Sequence, residues 1–336
     1  MRNTAAKTPR RVQLAKTERS TYTQHMRKQE LTNGFTSPLR YPGGKGKITR
    51  FVDHILTENG IRGTYAEPFA GGAGVAINLL LHQRVDRIII NDLDDGVYSF
   101  WRTVTQSPES LIRRIRDVPF ESVTGLASIG ERKAYWYWYN TRTRYRMNRY
   151  RNVEDKAFDF FMLNRMNVSG IVKGGLIGGE SQDGQYNISS RFNRKVLIQR
   201  IERIAAFREK ITVTQDEASY FLRHISNYCD ANDCFVFADP PYFVQGKNLY
   251  STFATDSIHK LTAERLLGQP EWRWILTYDE APEINAMYPD TDVNKFEYEI
   301  AYSANKRGNY KEFLFADPRL RISSFDNVTL HELSHM

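Results

Sequence analysis

The sequence is poor in cysteine and has no long apolar run. Only two of its 336 residues are cysteines. Cys229 and Cys234 therefore give neither a disulfide framework nor a zinc-ligand pattern. No stretch is long and apolar enough to cross a bilayer, and the first residues lack a signal-peptide pattern. We expect a reducing, cytoplasmic setting and a protein that binds neither a membrane nor a metal.

The common glycine motifs of nucleotide binding are also missing. The dinucleotide spacing GxGxxG is absent, which argues against NAD or FAD. The loop at Gly43, Gly44 and Lys45 lacks the glycine spacing and the Ser or Thr of a Walker A loop. This loop nevertheless precedes a helical apolar pattern that begins at Ile48. Its backbone could therefore cradle an anion, with Lys45 as a point charge.

Acidic residues are outnumbered by basic ones. Lys and Arg total 47 against 39 Asp and Glu, and the net charge of +8 favours polyanionic partners without specifying one. Much of the excess lies in residues 1–33, which have few apolar side chains and are predicted to form a disordered arm. DNA contact and a solvated tail without function are both open for this arm. Residues 319–336 are predicted to be a second tail.

Alternating strand and helix patterns predict an α/β fold with a doubly wound, mostly parallel sheet. Parallel strands are expected at 64–69, 85–90, 211–214, 235–237 and 272–278. The alternation of apolar and polar residues at 296–302 and 311–315 predicts an antiparallel pair at the end of the sheet.

The first strand runs into a glycine turn that contains Gly71 and Gly72, and a helix follows. Because glycines let a ligand approach the backbone closely, this unit predicts the cofactor site. Asp92 ends the next strand about 20 residues later, where an acid typically binds ribose hydroxyls. For Asp94, a plain helix N-cap is an open alternative.

The stretch 234–242 organises the rest of the chain. Its apolar strand ends in Asp239, Pro240, Pro241 and Tyr242, and open α/β sheets bind ligands at the carboxyl ends of strands. Proline fixes the backbone angle and lacks an N–H, so this corner is stiff and its carbonyls have no adjacent donor. A carboxylate, a carbonyl and a ring suit a planar amine such as a nucleobase. An ordinary strand exit with a packing aromatic is the structural alternative.

A long insert at 105–193 separates the early strands from the later ones. Its middle, 135–151, interleaves aromatic rings with guanidinium groups, and arginine forks match phosphates and base edges. We therefore predict nucleic-acid contacts for Arg142, Arg144, Arg146 and Arg149. The alternative is an amphipathic helix whose rings pack inside while its arginines face water. We expect the rings largely inside and the arginines toward a duplex.

Three stretches in a fixed order resemble the Dam-type, alpha-group adenine-specific DNA methyltransferases: Tyr-Pro-Gly-Gly-Lys at 41–45, Glu-Pro-Phe-Ala-Gly-Gly at 67–72 and Asp-Pro-Pro-Tyr at 239–242. The resemblance covers residues from about 37 to 316. It implies a Rossmann-like methyltransferase sheet with S-adenosyl-L-methionine as methyl donor and S-adenosyl-L-homocysteine as product. The implied acceptor is the N6 amine of an adenine that is flipped out of double-stranded DNA.

The resemblance also implies an organisation and partners. The catalytic domain comprises 34–104 and 194–318, and 105–193 is a mainly helical DNA-recognition insert with a hairpin. We expect a monomer in the cytoplasm of a bacterial or phage-infected cell, with a cognate restriction endonuclease as a candidate partner.

Site residues follow from the same resemblance. The catalytic residues are Asp239, Pro240 and Tyr242. The cofactor-binding residues are Tyr41, Gly43, Gly44, Lys45, Glu67, Phe69, Gly71, Gly72, Asp92, Asp216 and Asp239. Further DNA contacts are expected at Asn164, Arg165, Lys173 and Asn187. This sequence has Tyr-Pro at 41–42 where the family usually has Trp-Ala. Its hairpin has extra glycines where base reading is expected, so no target sequence is inferred. For Asp216, a helix N-cap is equally open.

Two other functions stay open. Methyltransferases that act on RNA or on protein glutamine usually have Asn in place of Asp239, and the basic insert does not suit a protein substrate. A catalytically silent DNA-binding module with the same fold would not need Tyr41, Lys45, Asp92 and Asp239 all to be intact.

Overall fold

The computed structural model describes residues 31, 36–41, 43–126, 129–243, 256–268, 270–300 and 311–333. The strands are β1 (Thr64–Glu67), β2 (Arg87–Asn91), β3 (Ile211–Thr214), β4 (Cys234–Ala238), β5 (Arg273–Asp279), β6 (Asn294–Ile300), β7 (Lys311–Ala316) and β8 (Val328–Glu332). The α-helices are α1 (Thr49–Glu58), α2 (Gly74–Leu81), α3 (Asp95–Gln106), α4 (Pro108–Arg116), α5 (Glu131–Met147), α6 (Val153–Met166), α7 (Arg194–Ala205), α8 (Ala218–Arg223), α9 (Asp256–Leu267) and α10 (Pro282–Met287).

The eight strands of the described chain form one sheet in the order β3-β2-β1-β4-β5-β7-β6-β8. The first five strands are parallel, whereas β7, β6 and β8 each pair antiparallel with their neighbours. The α/β class and the antiparallel pair are thereby confirmed. The order along the chain reverses between β1 and β4, and doubly wound sheets bind ligands beyond the carboxyl ends of strands at such a point.

The central strands are apolar because helices cover both faces of the sheet. Every residue of β1 and β4 is buried, as expected for parallel strands inside an α/β fold. The strands are short, so their polar exit residues come together at one edge of the sheet. Asp94, which follows β2, caps α3 by accepting hydrogen bonds from the backbone of Gly96 and Val97, as the cap alternative predicts.

The hydrophobic core on one face of the sheet continues into residues 105–193. Phe100 of α3 stacks on Phe161 of α6 with 5.5 Å between ring centroids, and Phe120 lies edge-on to Phe192 at 5.6 Å. All four belong to one cluster of buried side chains. The region is mainly helical, as predicted, but it shares the main core, so a separate recognition domain stays a prediction.

Three segments differ from the sequence-based expectation. Instead of the expected hairpin, the described backbone between 167 and 187 forms one isolated bridge, from Asn167 to Leu176. Residues 328–332, expected to be part of a tail, form β8 and pair with β6. Leu31, inside the expected arm, is buried in the core. The other residues of the expected arm and the segments 244–255 and 301–310 lie outside the described residues.

No helix within the described residues is both long enough and apolar enough to cross a membrane.

Candidate active site

The glycine turn after β1 is held in a conformation that only glycine adopts easily. Gly71 has φ +46°, and a Cβ placed there would lie 2.6 Å from the ring of Tyr41. The carbonyl of Gly71 accepts a hydrogen bond from the indole of the buried Trp101 at 2.9 Å. Gly72 also lies against Tyr41, and Phe69 is half-buried in the same turn. The side chain of Tyr41 therefore packs directly against the glycine turn.

The loop before α1 brings Lys45 toward the strand ends. The N–H of Gly44 donates to the carbonyl of Tyr41 at 3.2 Å, and Gly43 has φ +69°. The chain then makes a 3-10 turn from Lys45 to Ile48 and enters α1. The anion cradle considered from the sequence is not formed by Lys45, because its ammonium group contacts two carboxylates: Asp239 at 3.1 Å and Glu312 at 2.8 Å.

The ends of β1, β2 and β3 are joined by Asn91, which the sequence analysis did not single out. Its buried amide donates to the carbonyls of Pro68 and Asp216 and accepts from the hydroxyl of Thr214 at 2.7 Å. Such a buried, fully bonded amide fixes the relative positions of three strand ends. A single Asn after three isoleucines was the available signal for it.

Asp92 ties the glycine turn to β2. Its carboxylate accepts from the backbone N–H groups of Gly71 at 2.8 Å and Asp94 at 2.9 Å. Burial raises the pKa of Asp92 to about 7. The carboxylate of Asp216 accepts from Tyr228 at 3.0 Å. Because Glu217 is the residue that caps α8, the N-cap alternative for Asp216 is wrong.

Glu67 ends β1 and supports α2. Its Oε1 accepts from the backbone N–H of Ala76 and from the hydroxyl of Tyr65, each at 3.1 Å. Burial raises the pKa of Glu67 to about 8. No ion pair among the described residues opposes this rise.

Asp239 follows β4 and lies in a set of polar groups that we call the acceptor corner: Lys45, Asp239, Tyr242, Thr277 and Glu312. The Oδ1 of Asp239 accepts from the Thr277 hydroxyl at 2.7 Å and from Lys45, and 26% of the Asp239 side chain stays exposed. Burial raises the pKa of Asp239 above its usual range, and the ammonium of Lys45 opposes that rise. Burial lowers the pKa of Lys45, but the neighbouring carboxylates outweigh it and hold that pKa well above its usual value.

Glu312 of β7 fixes the aromatic side of the corner. Its Oε1 accepts from the phenol of Tyr242 at 2.9 Å, and its Oε2 accepts from the phenol of Tyr298. The adjacent N–H of Phe243 donates to Asp279 at 2.9 Å. Hydrogen bonds thus fix both the phenol of Tyr242 and the backbone that follows it. Glu312 and Thr277 belong to no recognised motif. The pairing of β4 with β5 brings Thr277 beside Asp239, and the pairing of β5 with β7 brings Glu312 to the corner.

Three residues expected to contact DNA have internal roles instead. Arg144 donates both arms of its fork to the buried Asp159, at 2.9 and 2.8 Å. Asn164 is buried, and its amide bonds both backbone groups of Arg40 at 2.8 and 2.6 Å. The side-chain oxygen of Asn187 accepts from the backbone of Ser189 at 3.1 Å and caps a 3-10 turn. The structure therefore corrects the expectation for Arg144, Asn164 and Asn187.

The other expected DNA contacts lie at or near the surface. Arg146, Arg149 and Lys173 are exposed, and Arg142 is half-buried with its guanidinium 5.0 Å from the ring of Trp138. Arg165 is half-buried and donates to the carbonyl of Arg191 at 2.7 Å. The rings of this region were expected to lie largely inside, but they divide: Trp138 is buried, whereas Trp136 and Tyr139 are exposed.

Comparison with known proteins gives a family model, a curated relative and a solved structure that resemble this chain. A family model for D12 class N6 adenine-specific DNA methyltransferases matches residues 41–311. The Type II methyltransferase M.MjaIII of Methanocaldococcus jannaschii is 23% identical over 211 residues, which is 61% of this chain and 68% of that protein. Among solved structures, the rRNA methyltransferase aviRa of Streptomyces viridochromogenes aligns with 82% of this chain and 86% of its own, at 14% identity and a TM-score of 0.36.

Proposed function

Because the chain belongs to the D12 class N6 adenine-specific DNA methyltransferases, we propose that it methylates adenine N6 in double-stranded DNA with S-adenosylmethionine as donor. The observation that carries this proposal is the acceptor corner beside the glycine turn, at the point where the strand order reverses. The order of the three motifs along the chain further supports membership of the Dam-type alpha group.

The residues around the glycine turn suit a cationic, nucleoside-bearing cofactor. Gly71 and Gly72 keep the turn free of side chains, and Tyr41 covers one side of it. Glu67 and Asp92 are carboxyls with raised pKa values, and a nearby cation would stabilise their charged forms. We assign Asp92 to the ribose hydroxyls and Asp216 to the adenine ring. When bound, the cofactor supplies an electrophilic methyl group on a sulfonium.

Asp239 is suited to hold the target amine. Both of its side-chain hydrogen bonds within the described chain use Oδ1, which leaves Oδ2 to accept a hydrogen bond from a substrate. An adenine amine is a poor nucleophile because its lone pair is delocalised into the ring. Hydrogen bonds to Asp239 and to the carbonyl of Pro240 favour a pyramidal nitrogen and orient the lone pair for in-line attack. Asp239 accepts the hydrogen bond and need not remove the proton before the attack.

Tyr242 is suited to stack on the extruded base. Its ring is fixed through Glu312, and the Lys45 ammonium lies 5.3 Å from the ring centroid. A flipped base loses its stacking in the duplex, and an oriented ring replaces part of that energy. A catalytically silent module would not need this corner. The Type II methyltransferase relative supports a cognate restriction endonuclease as a partner.

A host that lacks adenine methylation provides the test. Expression of the protein there should produce N6-methyladenine at one recurring sequence, mapped genome-wide by single-molecule sequencing. The Asp239→Ala variant should lose at least about 10³-fold in turnover on that sequence, because the variant loses the acceptor that orients the amine. Its affinity for the duplex should stay within about twofold. An unmodified genome, or a variant with near wild-type turnover, would contradict the proposal.

A further inference from the structure

Four arginines from separate segments converge near the loop that precedes Tyr41. We call Arg40, Arg165, Arg191 and Arg200 the guanidinium cluster. Arg165 donates to the carbonyls of Arg191 at 2.7 Å and Pro38 at 3.4 Å. Arg200 donates to the carbonyl of Ser37 at 3.0 Å. Asn164, the chain neighbour of Arg165, binds the backbone of Arg40. These bonds gather α6, α7 and the end of a 3-10 turn around residues 37–40.

The cluster holds positive charge without a counter-ion. None of its four members forms an ion pair with any described residue, although Arg114, Arg144 and Arg194 of the same region each contact a carboxylate. Three members are half-buried, and Arg191 is exposed. Burial, together with the charges of Arg40, Arg200 and Arg191, lowers the pKa of Arg165 to about 9. Carbonyl dipoles alone do not cancel this repulsion.

The donors that remain favour an oxyanion. The guanidinium of Arg191 makes no hydrogen bond within the described chain, and it lies 5.9 Å from the centroid of the Tyr186 ring. Arg40 and Arg200 each use only Nη1, on the carbonyls of Asn167 and Ser37, so the rest of each planar fork can bind a ligand. Forks of this kind match phosphate oxygens in pairs.

We propose that the guanidinium cluster binds a backbone phosphate of the substrate duplex, with Arg191, Arg40 and Arg200 as ligands and Arg165 as a positioning residue. This inference rests on the proposed function. Arg40 directly precedes Tyr41, which packs on the glycine turn, so the bound phosphate belongs to the part of the duplex nearest that turn. The carboxylate at the methionine end of the cofactor has related oxyanion chemistry, and the test separates the two sources.

The experiment compares Arg191→Gln and Arg200→Gln with a matched control, Arg62→Gln. Arg62 precedes β1, at the sheet edge opposite the acceptor corner, and its side chain is 69% exposed. The dissociation constant for a duplex that carries the mapped sequence is measured over a range of salt concentrations. Each cluster variant should weaken binding about threefold to tenfold and reduce the salt slope by about one, whereas the control should leave both unchanged.

Duplexes with single neutral methylphosphonate linkages locate the contact. The wild-type protein should bind one of these duplexes more weakly than the unmodified duplex. The Arg191→Gln variant should bind that duplex and the unmodified duplex equally well. Affinity for S-adenosylmethionine is measured in parallel and should not change. The exposed side chain of Arg191 makes no hydrogen bond in the described chain, so this variant should fold normally, which its melting temperature verifies.

Four results would overturn the inference. Unchanged duplex affinity and salt slope in both variants would mean that the cluster binds no phosphate. A loss of cofactor affinity with normal duplex affinity would assign the cluster to the cofactor carboxylate. A wild-type protein that neither binds nor methylates the duplex would refute the proposed function as well, whereas normal methylation by both variants at high salt would refute only the cluster.

Discussion

The acceptor corner and the guanidinium cluster bury charge in opposite ways. In the corner, one buried ammonium lies between the carboxylates of Asp239 and Glu312. In the cluster, the guanidiniums of Arg40, Arg165 and Arg200 donate to backbone carbonyls, and none of the four guanidiniums contacts a carboxylate of the described chain. A desolvated charge costs several kcal/mol unless it is paired. The corner can therefore keep its geometry before substrate arrives, whereas the cluster is completed by an anion from outside the chain.

This difference agrees with the two tasks. Methyl transfer needs an acceptor whose position is fixed beforehand, because orientation supplies much of the rate. Duplex binding instead needs positive charge that phosphate can neutralise with release of counter-ions. Removal of one positive charge should consequently lower the free energy of unfolding in the corner, where the charge is paired, and raise it in the cluster, where like charges repel.

The largest effect is expected from Lys45→Met in the corner. Without the ammonium, Asp239 and Glu312 are left as buried, unpaired carboxylates, so the free energy of unfolding should fall by about 3–5 kcal/mol and methylation should be lost. Urea unfolding measures the first effect. Lys311→Met is the matched control, because Lys311 forms ion pairs at the surface of β7 and such solvent-exposed pairs contribute little to stability. Equal losses in the two variants would refute the special role of Lys45.

Arg144→Ala tests a balanced pair inside the helical region. Asp159 is 1% exposed, but Arg144 is 52% exposed and Tyr150 also donates to Asp159. The loss of unfolding free energy should therefore be about 2 kcal/mol, below the range for a fully buried pair. Duplex affinity of the folded variant should not change. Arg146 lies two residues further along α5 and is exposed. Arg146→Ala should therefore lower the free energy of unfolding by less than about 0.5 kcal/mol. A weaker duplex complex with unchanged stability would restore Arg144 as a DNA contact.

The sequence could predict part of the acceptor corner but not all of it. Asp239, Gly71 and Asp92 follow strands, and a parallel sheet brings strand exits to one edge, so chain order was enough to group them. Glu312 reaches the corner only because β7 pairs antiparallel with β5 in one register, with Asp279 opposite Glu312. Short-range patterns do not determine such a register.

The arginines of the helical region show a different limit. An arginine in the sequence predicts that its guanidinium binds an anion, but it does not indicate whether that anion is Asp159 or a phosphate. That choice depends on which face of α5 meets α6. Strand β8 was missed for a related reason, since its exposed positions alternate with few apolar ones and its partner β6 lies about thirty residues earlier.

Glu67 extends the comparison to pH. No cation pairs with this carboxyl in the described chain, and its pKa is raised from 4.5 to about 8 in the folded state. Between those values the unfolded chain has lost the proton that the folded chain retains. Stability should therefore fall as pH rises through this window, by at most about 1.4 kcal/mol per pH unit from this group. Asp92 acts with the same sign up to about pH 7.

Glu67→Gln isolates that contribution. The amide oxygen can still accept from Ala76, but it does not titrate, so the fall in unfolding free energy between pH 6 and 7 should be smaller than in the wild type. Urea unfolding at the two pH values, without cofactor, measures the difference. Parallel pH dependence in wild type and variant would mean that Glu67 is already ionised in the folded protein.

The smallest effect has the opposite sign and belongs to Arg191→Gln. This substitution removes one charge from a cluster in which like charges repel, and it breaks no hydrogen bond of the described chain. Since Arg191 is exposed and screened, the gain in unfolding free energy should be only about 0.5 kcal/mol in low salt. Added phosphate should stabilise the wild type more than the variant, which chloride of equal ionic strength should not do. If Arg191→Gln instead destabilised the protein as a corner variant does, the cluster would be an internally balanced structural element, and the contrast between the two sites would fail.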